Sequence, residues 1–165
     1  MKIIFLDVDG VLNTRMTTDY CGMYIGIEDE KLLQLKKIID ETDAKVVLSS
    51  TWRLGYNKDG KQLDKCSQYL KDKFDKAGIE IYDVTSDIGH SLRHVEIKQW
   101  LTEHEDIESY VILDDEEFNF YRYDMGEHLI LTNWFCANKE EAETCGLTDE
   151  KVKQAIKILK MSELD

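Results

Sequence analysis

The chain has 165 residues, about the length of one domain. Apolar residues make up 42% and charged residues 33%, which is a globular composition and excludes a disordered chain. The net charge of −13 argues against non-specific nucleic-acid binding, where Lys and Arg must neutralise phosphates, and no apolar run approaches the ~20 residues of a membrane span.

Met1 to Asp7 has one lysine and a short apolar run. It lacks the longer apolar stretch and cleavage site of a signal peptide, so cytoplasm is the default expectation. Cys21, Cys66, Cys136 and Cys145 form no C-x-x-C pair, and no His stands at zinc-finger spacing from them. They read as reduced thiols. With no proline, repeat or low-complexity stretch, residues 1–165 read as a single domain. A chain this acidic that binds phosphate needs a metal cation to help hold it.

In chain order, Lys2 to Leu6 reads as a short buried strand. Glu28 to Glu41 carries Leu32, Leu35, Ile38 and Ile39 at helical spacing, with acids at its start. Lys45 to Leu48 is a second apolar strand. Gln62 to Lys76 reads as a helix capped by Gly78, followed by a strand over Ile79 to Val84. Arg93 to Glu103 is a helix with Ile97, Trp100 and Leu101 inward. Tyr110 to Leu113 and Leu129 to Leu131 are strands. Asn138 and Glu141 mark a capped turn, and Thr148 to Lys160 is a terminal helix. The alternation predicts an α/β fold, a mainly parallel sheet with helices on both faces.

Ligands in such sheets sit beyond the carboxyl ends of the strands, and polar clusters stand there. The first strand ends in Asp7-Val8-Asp9-Gly10, the second in Ser49-Ser50-Thr51, a later one in Asp114-Asp115. Asp7 and Asp9 are two apart on a nearly extended segment, so their side chains share a side. Gly10 lets the chain turn sharply. Together with Asp114 and Asp115 this predicts a four-acid cluster. Like charges so close repel unless protonated or bridged by a cation, and an all-oxygen site suits Mg²⁺. A nearby hydroxyl rim and a cationic side chain suit a phosphoryl group.

Phe5 to Asn13 resembles the first motif of the haloacid dehalogenase (HAD) superfamily, D-x-D-G-x-L. Val46 to Thr51 resembles its second motif, Arg93-x-x-x-Ile97 its third, and Val111 to Asp115 its fourth, in the family's order. The run Ser49-Ser50-Thr51-Trp52-Arg53, with Gly146-Leu147-Thr148, is similar to small HAD-like domains, some found beside RNA-repair modules. The resemblance implies a Rossmann-like three-layer sandwich and a Mg²⁺-dependent phosphatase. Asp7 is then the nucleophile and Asp9 the general acid and base. The metal is held by Asp7, the Asp9 carbonyl, and Asp114 or Asp115. A motif-two hydroxyl holds a phosphate oxygen, with Ser50 preferred and Ser49 close behind. Arg93 stands where the family more often has lysine, with Lys98 as its competitor.

Arg15 and Arg53 follow motifs one and two directly and, with Ser49 and Thr51, are the candidate contacts to the rest of the substrate. Family members often carry a cap domain. Here Asn13 to Asp43 and Leu54 to Leu92 leave no room for one, so the site should be open, with Thr14 to Gly26 as a flap. By analogy the phosphorylated partner is a small molecule or a nucleic-acid end. A bacterial receiver domain also uses acids on a doubly wound sheet, but there the adjacent acids come first and the lone Asp later, the reverse of this order. A phosphotransferring or non-catalytic module is the alternative reading.

Overall fold

The computed structural model describes residues 1–56, 64–89 and 91–161. Five strands form one parallel sheet: Lys2–Leu6 (β1), Lys45–Leu48 (β4), Ile81–Val84 (β5), Ser109–Asp114 (β6) and Leu129–Leu131 (β7). Their spatial order is β5-β4-β1-β6-β7, so β1 lies at the centre. Tyr20–Cys21 (β2) and Tyr24–Ile25 (β3) form a separate antiparallel hairpin. Among the described residues there are four α-helices: Asp29–Thr42 (α1), Lys65–Ala77 (α2), Arg93–Glu103 (α3) and Asp149–Lys160 (α4). None is long and apolar enough to cross a membrane.

The period-two rule of strands divides the core into two layers. Ile4 and Leu6 of β1, Val46 and Leu48 of β4, and Val111 and Leu113 of β6 join Leu35, Ile38, Phe74, Val152 and Leu159 in one cluster. This is the face covered by α1, α2 and α4. Ile3, Phe5, Val47 and Ile112 point the other way, toward Ile97 and Trp100 of α3 and toward Phe120 and Met125. Because β1, β4 and β6 are covered on both faces, their sequences are apolar at every central position. The fold is therefore the α/β three-layer arrangement that the alternation predicts.

Boundaries shift where caps take over backbone groups. The strand expected from Ile79 starts at Ile81. Gly78 adopts φ 68°, its N–H bonds Asp75 O at 3.0 Å, and the Ile79 N–H bonds Phe74 O at 2.9 Å. Ile79 thus closes the helix rather than joining the sheet. Helix α2 begins at Lys65, where Asp64 accepts from the Ser67 N–H; the expected start at Gln62 and Leu63 lies outside the described residues. Thr148 caps α4 by accepting from the Lys151 N–H. Asn138 accepts from the Glu141 N–H at 3.0 Å, the expected capped turn, which leads into a short 3-10 turn over Ala142–Thr144.

The segment expected to be a flap, Thr14 to Gly26, holds the β2–β3 hairpin, closed by Gly22-Met23 with Gly22 at φ 63°. That is the residue type and backbone sign of a tight two-residue hairpin turn. Among the described residues neither gap holds a cap domain: the first contains the hairpin, the second α2 and β5.

Candidate active site

Successive strands stop at one rim and hand their next amide to a neighbour. The Asp7 N–H bonds Leu113 O, the Ser49 N–H bonds Leu6 O, and the Thr132 N–H bonds Asp114 O, all at 2.8–2.9 Å. Asp7, Ser49 and Asp114 are therefore fixed at the strand ends by the ladder itself. After Asp7 the backbone turns: the N–H groups of Val11 and Leu12 both reach Val8 O. Gly10 sits in that turn at φ 77°, and a Cβ there would lie 2.4 Å from the Asp115 carboxyl carbon. Backbone sign and space both require glycine.

Asp7, Asp114 and Asp115 each bring a carboxylate oxygen within 4.8 Å of the others. Arg93, at the first turn of α3, places Nη1 2.7 Å from Asp114 Oδ2 and 3.1 Å from Asp7 Oδ1. Its guanidinium also lies over the Phe118 ring, 4.9 Å from the centroid. Ser91 and Phe118, which flank Arg93, both adopt left-handed backbone, at φ 62° and 42°, the kind of strain that collects at functional sites.

Three carboxylates face one guanidinium here. Burial, and then the neighbouring Asp7, push the Asp114 carboxyl up to about 7. Burial, and then Asp7, raise Asp115 to about 6. Burial raises Asp7 too, although Arg93 and the Ser50 hydroxyl pull the other way. Burial works against the charge on Arg93, but Asp7 and Asp114 outweigh it and hold its pKa above the ordinary arginine value. Such a site is short of positive charge. Its all-carboxylate donor set fits a hard divalent cation such as Mg²⁺.

The structure corrects the expected four-acid cluster. Asp9 is outside it, because the chain leaves the extended form after β1 and the side-chain parity of a strand no longer applies. The Asp9 carboxylate is gripped by neutral donors instead. Asn13 Nδ2 donates to Oδ1 at 2.9 Å, and Trp52 Nε1 donates to Oδ2 at 3.0 Å. Asn13 is fully buried and accepts from the Gly10 N–H at 2.9 Å.

The Ser50 hydroxyl hydrogen-bonds Asp7 and accepts from the Trp52 N–H at 3.3 Å. Ser49 Oγ is buried with no partner among the described residues. Thr51 is exposed on the wall of a cavity of about 400 Å³, shared with Arg53, Ser91, Arg93 and Phe118. Lys98 points away from the acids, its Nζ 5.6 Å from the Tyr123 ring centre.

Arg53 is buried, and its guanidinium has five partners among the described residues, one of them the Ser86 carbonyl at 3.3 Å. Nη1 donates to the carbonyls of Ser49 at 2.7 Å and Ser50 at 2.9 Å, while Nη2 pairs with Glu96 at 2.8 Å and Asp87 at 3.4 Å. It ties the motif-two turn to α3, one helical turn beyond Arg93. Arg15 is exposed and stacks on Phe135, 4.8 Å from the ring centre. Asn13, Trp52 and Glu96 are the site residues that sequence reasoning did not assign. Asn13 stands inside the first motif, and Glu96 three positions after Arg93. For Trp52 no local signal exists, since its partner is 43 residues away.

No curated protein and no solved structure matches the chain. A family model described as the HAD domain in Swiss Army Knife RNA repair proteins matches residues 3–152. That span includes all four motifs, and the chain belongs to this family of HAD domains.

Proposed function

We propose that the chain is a Mg²⁺-dependent phosphomonoester hydrolase that works through an aspartyl-phosphate on Asp7. The observation that carries this reading is the contrast between two neighbouring aspartates. Asp7 is buried against Arg93 and two further acids, whereas Asp9 is held by Asn13 and Trp52 at the edge of that group.

Asp7, Asp114 and Asp115 would hold the metal. When bound, Mg²⁺ supplies charge that offsets the repulsion between the Asp7 carboxylate and an incoming phosphate dianion. Arg93 and the Ser50 hydroxyl hold phosphate oxygens. An Asp7 oxygen attacks phosphorus, the bond to the leaving oxygen breaks, and the Asp9 carboxyl gives that oxygen its proton. Asp9, now a carboxylate, takes a proton from water. The water oxygen attacks phosphorus and releases Asp7 and inorganic phosphate. Asn13 and Trp52 keep Asp9 aimed through both steps.

The rim is not covered by a cap among the described residues, which suits a bulky substrate. The family's place in RNA repair proteins favours a phosphorylated nucleic-acid end. Gripping one terminal phosphate needs few basic contacts, so the acidic balance is no obstacle.

The test is phosphate release from aryl phosphate, mononucleotides, sugar phosphates and 5′- or 3′-phosphorylated oligonucleotides, with Mg²⁺ and with EDTA, beside Asp7→Asn. Mg²⁺-dependent release that is fastest on an oligonucleotide end and absent in the variant supports the reading. A folded wild-type protein that releases nothing from any of them contradicts it.

A further inference from the structure

Two cysteines 45 positions apart meet outside the acid cluster. Cys21 lies on β2 of the hairpin and Cys66 in the first turn of α2. Their Sγ atoms are 3.1 Å apart, with the Cys21 thiol donating to Cys66. A disulfide needs ~2.05 Å, so bond formation asks for a movement of about 1 Å. Cys21 is buried and Cys66 half-buried, which leaves Cys66 as the sulfur that a solvent-borne oxidant meets first.

The same face of α2 already grips this segment. One turn after Cys66, the Tyr69 hydroxyl donates to Asp19 at 2.5 Å and accepts from the Ile27 N–H at 2.8 Å. One turn further on, Lys73 pairs with Asp19 at 2.9 Å. Residues 66, 69 and 73 thus form a helical stripe against residues 19–27. At the end of the hairpin, the carbonyls of Ile25 and Gly26 accept from Asn13 Nδ2 at 3.4 and 2.8 Å. That is the same nitrogen that holds Asp9.

We propose that Cys21 and Cys66 are a redox modification site, whose disulfide locks the β2–β3 hairpin onto α2 and steadies the carbonyls that seat Asn13. With a small disulfide such as oxidised glutathione the chemistry balances. Cys66 gives its proton to water and attacks one glutathione sulfur, expelling one glutathione thiolate. Cys21 then loses its proton and attacks Cys66 Sγ, expelling the second. Two protein thiols are oxidised and one glutathione disulfide is reduced. Burial, and then the Cys66 thiol, push Cys21 up to about 11, which suits it to the second, intramolecular step rather than to first attack.

A second pair supplies the internal control. Cys136 and Cys145 are 0% and 1% exposed, with their thiols on the carbonyls of Trp134 and Phe135. They are close together, but an oxidant in water has no approach to either sulfur.

The experiment incubates the native protein in oxidised and reduced glutathione mixtures, alkylates free thiols, and maps peptides. The expected product links the Cys21 and Cys66 peptides and is reversed by dithiothreitol, while Cys136 and Cys145 alkylate only after denaturation. Cys21→Ser should hold glutathione on Cys66, because ring closure is lost. Amide exchange at Gly26 and Ile27 should slow on the order of tenfold in the oxidised protein. Stable glutathione on wild-type Cys66, a bond between Cys136 and Cys145 instead, or unchanged exchange at Gly26 and Ile27 would each overturn the proposal. None of these readouts uses phosphate release, so they stand apart from the hydrolase reading.

Discussion

Asp7 and Asp9 are two residues apart on one loop, yet their surroundings differ in kind. Asp7 lies among charges: Arg93 on one side, Asp114 and Asp115 on the other. Asp9 touches an amide and an indole, both neutral donors. A carboxylate among charges is fixed and awaits a cation. A carboxylate held by two fixed neutral donors keeps a stable orientation. On the proposed reading one short motif supplies both a nucleophile and an acid–base group, because the chain leaves the extended form after β1 and the second carboxylate falls outside the cluster.

The comparison breaks most visibly in kinetics. Asp7→Asn should lower turnover by at least about 10³-fold on every phosphate ester, since the covalent step needs that oxygen. Asp9→Asn should slow the phosphoryl-transfer step about 10²–10⁴-fold on an alkyl ester but much less on an aryl phosphate, whose leaving oxygen needs little protonation. Hydrolysis of the phosphorylated Asp7 then becomes the slow step on the aryl ester. Equal losses on both esters in single-turnover measurements of the phosphoryl-transfer step would mean that Asp9 does not protonate the leaving group.

Below the site, Glu96→Gln should leave Arg53 buried with only the half-exposed Asp87, at 3.4 Å, as a carboxylate partner. That should cost about 3–5 kcal/mol of stability, measured by urea unfolding. A change under about 1 kcal/mol would show that the carbonyls of Ser49 and Ser50 suffice for Arg53.

The acid cluster should also couple metal binding to pH. Asp114 and Asp115, at about 7 and about 6, hold protons more tightly in the folded than in the unfolded chain. The metal-free protein therefore loses stability as pH rises from about 4 to about 7. Mg²⁺ must displace those protons, so its affinity should fall about tenfold per pH unit for each proton displaced as the pH drops below 6. Thermal unfolding with and without Mg²⁺ checks this. The gap should be small below about pH 5 and wide above about pH 8, and a constant gap would contradict it.

The smallest effect sharpens the Asp9 side. Trp52→Phe keeps the ring and removes the indole N–H. One hydrogen bond to a charged group is worth about 1.5–3 kcal/mol, so kcat should fall by about 10- to 150-fold at most with KM little changed. A rise in KM at constant kcat would make Trp52 a substrate contact instead.

The sheet was legible because β1, β4 and β6 are unbroken apolar runs closed by acids or hydroxyls. The hairpin was not, because two-residue strands carry no periodicity, so Tyr20 to Ile25 reads only as part of a flap. Asp7, Arg93, Asp114 and Asp115 could be placed at strand and helix ends from sequence alone, since the parallel topology carries those ends to one rim. The grip on Asp9 could not, because it joins residues 9 and 52 across the fold. Arg53 was read as an outward contact because its position after motif two says nothing of where the guanidinium turns. Its buried partner Glu96 decides that.

The central claim is that Asp7 carries the phosphoryl group during turnover. The most direct measurement is an acid-quenched single turnover with Mg²⁺ and the best substrate of the panel, followed by peptide mapping. The account predicts a phosphoryl group on the peptide containing Asp7, absent from Asp7→Asn and accumulating in Asp9→Asn on an aryl phosphate. A phosphoryl group on another residue, or phosphate release at full rate with no labelled peptide at any quench time, would contradict it.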